Sequence, residues 1–442
     1  MSKPIVAIVG RPNVGKSTLF NGLAGENISI VKDTPGVTRD RIYADVRWLN
    51  WSFTLIDTGG IEPESRDVIL SQMREQAMIA IETADVILFL TDVRQGLTDA
   101  DAKVADMLRR SGKPVVLAVN KVDNFSRQMM DVYEFYNLGL GEPHAISAAG
   151  KLGLGDLLDV VAERFPEREE EDGENEIPRI AIVGKPNVGK SSIINKLLGQ
   201  NRVIVSDVAG TTRDAIDTNV RWNGKDYIFI DTAGLRRKSR VSEELERYSI
   251  IRTVSAVERA DVVILVIDAV EGVTEQDAKI AGIAHDRGKG IIIAVNTWDA
   301  GEQHDKTVKE YSERIRSVLS FMPYAEILFV SAVTGQRLPR LFDTIDVVLE
   351  NQTLRVATGV LNEILTEAVA MQQPPSDKGR RLKIFYMTQV AVKPPAFVVF
   401  VNEKKLMHFS YLRYLENKIR EAFGFRGTAL KFIVRERKEK EA

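Results

Sequence analysis

The chain has 442 residues, 44% of them hydrophobic, and a formal net charge of −2, which fits a globular protein of about three domains rather than one core. It contains no cysteine, which excludes disulfides, a thiolate nucleophile and a Cys-based metal site. No apolar run approaches the roughly 20 residues that span a bilayer, and Met1-Ser2-Lys3-Pro4 leads straight into a strand pattern, so no membrane segment and no signal peptide are expected, and the expected compartment is cytoplasmic.

Ile5–Val9 reads as a buried first strand, followed by Gly10-Arg11-Pro12-Asn13-Val14-Gly15-Lys16-Ser17 and a helical pattern. This is a complete G-x-x-x-x-G-K-[ST] phosphate loop in the context that gives the motif meaning. Gly10 and Gly15 let the backbone curl so that its N–H groups face phosphates, and the helix that follows adds the positive end of its dipole. Lys16 is expected on the β- and γ-phosphates and the Ser17 hydroxyl on magnesium. Thr38 sits in a Gly-x-Thr-Arg-Asp segment, where a hydroxyl can complete the magnesium shell and withdraw once the γ-phosphate is lost.

Arg41–Trp48 and Ser52–Asp57 alternate around Leu49-Asn50, as a hairpin does. The second strand ends in Asp57-Thr58-Gly59-Gly60. Its Asp approaches magnesium and its last Gly N–H can sense the γ-phosphate. The next residue is Ile61. Gln at this place orients water in familiar small GTPases, so hydrolysis here is expected to be slow or to use another device. Asn13, inside the loop, offers a carbonyl oxygen that could ligate a monovalent cation and offset transition-state charge.

Val86–Thr91 and Val115–Val119 are continuous apolar runs, expected for central parallel strands. Asn120-Lys121-Val122-Asp123 follows. The Asp123 carboxylate can accept from both the ring N–H and the amino group of guanine, a donor pair adenine lacks. Ser147-Ala148, with Gly150 close by, fits a backbone contact to the guanine carbonyl.

Glu167–Glu176 holds seven acids and one Arg and reads as a solvated linker. Then the unit repeats. Gly184-Lys185-Pro186-Asn187-Val188-Gly189-Lys190-Ser191 lies 174 positions after the first loop, so Lys190, Ser191 and Asn187 take the roles of Lys16, Ser17 and Asn13. Thr212 and Asp231-Thr232-Ala233-Gly234 keep that offset, and Leu235 again replaces a Gln. Ser191, Thr212 and Asp231 are the second magnesium set. Val262–Ile267 and Ile291–Val295 repeat the parallel strands, and Ser331-Ala332 repeats Ser147-Ala148. The base motif departs: Asn296-Thr297-Trp298-Asp299 keeps the guanine-selecting Asp but lacks the Lys stem. Loss of that contact costs roughly 1–2 kcal/mol, so a weaker, still guanine-specific site is expected. The segments after Asp-x-x-Gly also differ: Arg236-Arg237-Lys238-Ser239-Arg240 stands against Glu62-Pro63-Glu64.

Beyond Ile345–Glu350 the pattern changes to a helix (Thr358–Met371), a loop (Gln372–Lys378), two strands (Arg381–Val392, Ala396–Val401), an amphipathic helix (Ser410–Phe423) and a strand (Ala429–Val434). Gln352–Ala442 carries 17 Lys and Arg against 9 Asp and Glu. Gly424-Phe425-Arg426-Gly427 has the letters of an RNA-binding Gly-x-x-Gly loop, but follows a helix and precedes a strand, so it reads as a helix stop with Gly424 as cap. Lys404, Lys405, Arg435, Arg437 and Lys438 are the candidate phosphate contacts. The four histidines show no metal spacing.

The expected fold class is α/β: two tandem P-loop GTPase domains, each a doubly wound, mostly parallel sheet (1–166 and 178–350), joined by an acidic linker (167–177) and followed by a basic module (351–442). Five guanine-nucleotide motifs in order, twice, with a small basic domain behind them, resemble the tandem-G-domain bacterial GTPases of the Der or EngA family, within the TrmE–Era–EngA-like group. The resemblance covers essentially the whole chain. It implies a KH-like C-terminal domain, GTP or GDP at two sites, Mg2+, and K+ held through Asn13 and Asn187. It also implies a role in maturation of the large ribosomal subunit, with ribosomal RNA as partner. Ribosomal proteins or a GTPase activator are further candidate partners, and a monomer without membrane contact is expected. The rival reading is a GTP-controlled protein-interaction switch that touches no nucleic acid. A tRNA-modification GTPase is disfavoured because no modification domain or C-terminal Cys is present.

Overall fold

The computed structural model describes residues 3–26, 43–59, 66–166, 177–199, 203–205, 217–230, 243–297, 305–377 and 380–437. Contacts divide the chain into two compact units. One holds the described residues up to 166 together with a helix that ends its share at Glu258; the other holds 177–230 and everything from Arg259 onward.

In the first unit, β1 (Ile5–Gly10), α1 (Lys16–Glu26), β2 (Tyr43–Trp48), β3 (Trp51–Asp57), α2 (Arg66–Thr83), β4 (Val86–Asp92), α3 (Asp99–Ser111), β5 (Val115–Asn120), α4 (Phe125–Tyr133), β6 (Pro143–Ala145) and α5 (Leu154–Glu163) follow in turn. The sheet order is β2-β3-β1-β4-β5-β6. Only β2 runs antiparallel to its neighbour. Every residue of β1 and β4 is buried, as expected when helices cover both faces of a parallel sheet. Val6 and Ile8 pack with Leu19 and Leu23 of α1 and Leu157 and Val161 of α5, while α2 lies against β1. The hairpin turns at Leu49-Asn50, with Leu49 at φ 50°.

The repeat builds β7 (Arg179–Val183), α6 (Lys190–Leu198), β8 (Val203–Val205), β9 (Thr218–Trp222), β10 (Lys225–Ile230), α7 (Glu243–Arg259), β11 (Val262–Asp268), α8 (Glu275–Asp286), β12 (Gly290–Asn296), α9 (Asp305–Val318), β13 (Glu326–Phe329) and α10 (Arg340–Thr353). Its sheet order, β13-β12-β11-β7-β10-β9-β8, is the order of the first with β8 added at one edge. Register repeats as well: Asp92 pairs with Asn120, and Asp268 with Asn296. Helix α7, by contrast, groups with the first unit up to Glu258. There the Thr54 hydroxyl donates to the Glu258 carboxylate at 2.8 Å, Ser255 Oγ donates to the Thr83 carbonyl at 3.2 Å, and Arg252 pairs with Glu82 at 2.7 Å.

The basic module comprises α11 (Thr358–Met371), β14 (Ser376–Asp377), β15 (Arg380–Arg381), β16 (Ile384–Ala391), β17 (Ala396–Val401), α12 (Phe409–Phe423) and β18 (Lys431–Glu436). Its sheet is ordered β16-β17-β18, with the first pair antiparallel and the second parallel. Leu361 and Leu365 of α11 and Leu415 and Ile419 of α12 pack on Met387, Phe397 and Val399. The α-β-β-α-β order expected from sequence is found, with two differences. The expected loop Gln372–Lys378 contains β14, paired with β15, so the expected strand from Arg381 divides into β15 and β16. The last strand starts two residues later than expected, at Lys431, because residues 426–430 first turn back to bond with the second G domain.

Candidate nucleotide-binding sites

The first phosphate loop springs from the end of β1 and closes at the first turn of α1. Gly10 is required by close approach: a Cβ there would meet the Leu90 carbonyl oxygen at 2.4 Å. Gly15 is required twice, by its φ of 97° and by Asn120 Nδ2, which would lie 2.4 Å from a Cβ. Asn13 takes φ 65°, a left-handed geometry that Asn tolerates better than most residues. Val14 is fully buried and pins the loop to the core. Lys16 folds back over the loop, its Nζ donating to the carbonyls of Gly10 and Arg11, both at 2.7 Å. Burial lowers its pKa to about 8; Asp57 opposes that shift and Arg11 adds to it.

Ser17 Oγ donates to Asp57 Oδ2 at 3.0 Å, and the Gly59 N–H donates to Asp57 Oδ1 at 2.8 Å. Thr58 Oγ1 donates to the Ile8 carbonyl at 2.5 Å and so ties this segment to β1. The described residues contain no group of three or more His, Cys, Asp or Glu suited to a metal. A hydroxyl and one carboxylate at this separation instead suit a small hard cation that completes its shell with phosphate oxygens and water.

The base end is assembled by Asn120, which is buried. Its Nδ2 donates to the Val14 carbonyl at 2.7 Å and its Oδ1 accepts from the Ala148 N–H at 2.9 Å. It therefore clamps the phosphate loop to the Ser147-Ala148 segment. Val122 likewise points into the core, its N–H bonded to the Ile146 carbonyl at 3.0 Å. Lys121 Nζ bridges the Asn13 carbonyl and Asp92 Oδ2, both at 2.6 Å. Asp123 is exposed; Ser147 Oγ donates to its Oδ1 at 2.7 Å and Arg94 pairs with its Oδ2. The Ser147 bond first and Arg94 second hold its carboxyl below the usual carboxylate range.

The second loop repeats this construction. Gly189 takes φ 95° and Asn187 φ 65°. Val188 is buried, and the Lys190 amine bonds the carbonyls of Gly184 (2.7 Å) and Lys185. Burial lowers the Lys190 pKa to about 8, against the pull of Asp277. Asn296 joins the Val188 carbonyl (2.9 Å) to the Ala332 N–H (3.0 Å), and Ser331 Oγ accepts from the Thr334 N–H at 3.1 Å. Thr297 differs as expected: its hydroxyl turns inward to Asp268 Oδ1 at 2.6 Å and to the Asn296 carbonyl at 2.7 Å. Val270, 77% exposed, stands where the first copy has Arg94.

The second residue of each loop, expected among the nucleotide contacts, has a side chain engaged within the protein. Arg11 Nε donates to Asp101 Oδ1 at 2.8 Å and its Nη1 to Gln95 Oε1 at 2.6 Å. Asp101 is fully buried and forms a capping box with Thr98 at the start of α3. Lys185 fills the same place less completely, 2.7 Å from Glu271 and 3.8 Å from Asp277. The signal available in sequence was the pair Thr98-x-x-Asp101 and Thr274-x-x-Asp277, a capping pattern that recurs with the loops.

Of the other expected site residues, Pro12 and Pro186 lie within the described loops. Thr38, Gly60, Ile61, Thr212, Asp231, Thr232, Ala233, Gly234, Leu235, Trp298, Asp299 and the basic run 236–240 lie outside the described residues, as do Lys438 and the linker 167–176. In the basic module Gly424 caps α12 at φ 84°, its N–H bonded to the Arg420 carbonyl at 2.8 Å. The Gly-x-x-Gly letters serve another purpose. Arg426 forks onto Glu326 at 2.9 and 2.7 Å, the Gly427 N–H bonds the Tyr324 carbonyl at 2.9 Å, and the Ile291 N–H bonds the Gly427 carbonyl at 2.7 Å. Among the described histidines, His285 is stacked on Tyr324 and lowered to about 4 by burial, and His408 caps α12.

Two family descriptions match the chain. Residues 5–121 and 179–297 match "50S ribosome-binding GTPase", and residues 355–435 match "KH-domain-like of EngA bacterial GTPase enzymes, C-terminal". Among curated proteins, the chain is 76% identical over 441 residues to the GTPase Der of Agathobacter rectalis, with 100% of both chains covered. It is 75% identical over 439 residues to that of Lachnoclostridium phytofermentans, covering 99% of this chain and 100% of the other. It is 60% identical over 441 residues to that of Acetivibrio thermocellus, with 100% of both covered. Among the described residues no helix is long and apolar enough to cross a membrane.

Proposed function

The chain belongs to the Der (EngA) family of GTPases, and on that premise we propose that it binds GTP at both loops, hydrolyses it, and uses the nucleotide state to dock on the RNA of the large ribosomal subunit during that subunit's maturation. The observation that carries the reading is the duplicated loop geometry: in both copies the loop Lys amine rests on the same two loop carbonyls, beside an Asn clamp in the same register. The matched family description supplies the ribosomal direction.

In this reading the Lys16 and Lys190 ammonium groups leave the loop carbonyls and donate hydrogen bonds to the β- and γ-phosphates. Asp123 and Asp299 select guanine by accepting two N–H donors, and Ser147 orients Asp123 for that purpose. Ser17 with Asp57, and Ser191 with Asp231, would hold Mg2+, with the Thr38 and Thr212 hydroxyls as further ligands. Mg2+ supplies charge neutralisation on the phosphates. Asn13 and Asn187 would offer a carbonyl oxygen to K+, which would add positive charge beside the phosphates. Water attacks the γ-phosphorus, the bond to the β-phosphate oxygen breaks, and GDP and phosphate leave. Ile61 and Leu235 offer no proton acceptor, so the rate rests on charge stabilisation and is low without a partner.

Co-sedimentation with purified large ribosomal subunits tests the reading, in GDP and in a non-hydrolysable GTP analogue, across a salt series. Pelleting with the analogue that is lost in Lys16→Ala or Lys190→Ala supports it. Absence of pelleting in every nucleotide state removes the ribosomal assignment and leaves the GTPase chemistry standing.

A further inference from the structure

We propose that the outer face of the β16-β17-β18 sheet is a stacking platform for unpaired bases of single-stranded RNA, built on Tyr386 and Phe400. The inference rests on the RNA-docking reading above and assigns it a surface. Tyr386 and Phe400 face each other across β16 and β17. Their rings are stacked, with centroids 4.4 Å apart and planes 18° from parallel. Neither belongs to the core of the module, which is built from Met387, Phe397, Val399 and Val401; both are half-buried.

A cross-strand aromatic pair by itself only stabilises a sheet. Two further observations point to a ligand. The first is cationic charge at the rings: the Arg437 guanidinium lies over Tyr386, 5.5 Å from its centroid, and exposed Arg435 is the register partner of Phe400 on β18. Exposed Lys431, Ile433 and Arg435 alternate with half-buried Phe432 and Val434, so β18 turns its Lys and Arg to the same outer face, while Glu436 accepts from the Lys404 N–H. Lys404 and Lys405 stand in the short turn beside β18. The second is that the Gly-x-x-Gly segment is already engaged by Glu326, Tyr324 and Ile291, whereas the sheet face sets aromatic rings beside exposed cations. A base that inserts beside Phe400, or replaces the Arg437 guanidinium over Tyr386, meets an aromatic face with cations alongside for its phosphates, the chemistry of single-stranded RNA rather than of a duplex.

The full-length protein, with GDP and with a non-hydrolysable GTP analogue, is titrated with a single-stranded RNA decamer carrying 2-aminopurine, over a salt series. A parallel 4-thiouridine oligonucleotide is crosslinked and mapped. The expected results are crosslinks on β16–β18 and quenched 2-aminopurine. Tyr386→Leu and Phe400→Leu should each lose about tenfold in affinity with the salt slope unchanged, while Tyr386→Phe retains it. Arg437→Gln should lower the log–log salt slope by about 0.7. Unaltered melting of the leucine variants separates lost stacking from lost folding; if they melt early, retention in Tyr386→Phe and the crosslink position decide instead. Wild-type affinity in both leucine variants, or crosslinks confined to Gly424–Gly427, overturns the platform. Large-subunit pelleting without decamer binding overturns it too and leaves the proposed function intact. Failure of both removes RNA from the function altogether.

Discussion

The two G domains carry the same loop on two different supports. In the first, an Arg fork ties the loop to a buried Asp at the start of α3, and Lys121 crosses from the base motif to the Asn13 carbonyl. In the second, Lys185 reaches out to a half-exposed Glu271 and stands 3.8 Å from Asp277, and Thr297 folds onto its own strand. Burial pushes the Asp277 carboxyl up; its Oδ1 lacks a partner, as Arg11 Nη2 does in the first copy. The comparison teaches that the phosphate-facing geometry is fixed by backbone and glycine, whereas the rigidity behind it depends on residues the motif leaves free. The first loop is therefore expected to be the stiffer and to hold nucleotide more tightly.

The largest effect expected from breaking this contrast is on stability. Asp101→Asn strands a buried guanidinium and should cost roughly 3–5 kcal/mol, read as earlier unfolding of the first domain in urea. Asp277→Asn should cost far less, because Lys185 keeps Glu271; equal losses would refute the asymmetry. Next comes the loop Lys. Lys16→Ala and Lys190→Ala each remove charge-assisted bonds to phosphate and should weaken their own site about 100-fold. Calorimetric stoichiometry should then fall from two nucleotides to one, and a persistent value of two would show that the Lys is dispensable.

Exchange of the base-motif residue sharpens the comparison directly. Thr297→Lys should tighten the second site about tenfold, by supplying a bridge from Asp268 to the Asn187 carbonyl, and Lys121→Thr should weaken the first by a similar factor. A null result in both, measured with a fluorescent GDP analogue, would make the Lys stem irrelevant. Raising pH should act on both copies alike. The amines have pKa values lowered to about 8 when the loops are empty, and bound phosphate raises them. Binding above pH 8 therefore takes up a proton, and affinity should be full below pH 8 and fall by up to about tenfold per unit above it. Affinities flat from pH 7 to 9.5 would sink this. The smallest effect belongs to Arg94, which must release Asp123 when guanine arrives. Arg94→Ala should tighten the first site by about twofold, with no counterpart at Val270; a weakened site would mean that Arg94 holds nucleotide instead.

Much of the fold was legible because the repeat states it twice. The apolar runs at Val86–Thr91 and Val262–Ile267 became central strands extended by one residue each, and the phosphate loops stand at the ends of β1 and β7. The short β8, the β14–β15 ladder and the turn at residues 426–430 were not legible. Each is set by pairing with backbone distant in sequence, such as Thr428 with Gly290, and carries no periodicity of its own. The side-chain roles of Asn120 and Asn296 also escaped, because nothing in the motif separates a residue that contacts the base from one that braces the pocket.

The sequence by itself determined the chemistry: glycine spacing, a Lys, a hydroxyl and an Asp at set intervals dictate phosphate, cation and guanine, because these contacts use backbone and side chains local to each motif. Only the tertiary structure decided what stiffens each loop, which side of the basic module is free, and that α7 groups with the first unit. Those outcomes depend on partners 90 or more residues away, as Arg11 with Asp101 and Arg426 with Glu326 are, and on whether a buried charge finds its counter-charge there.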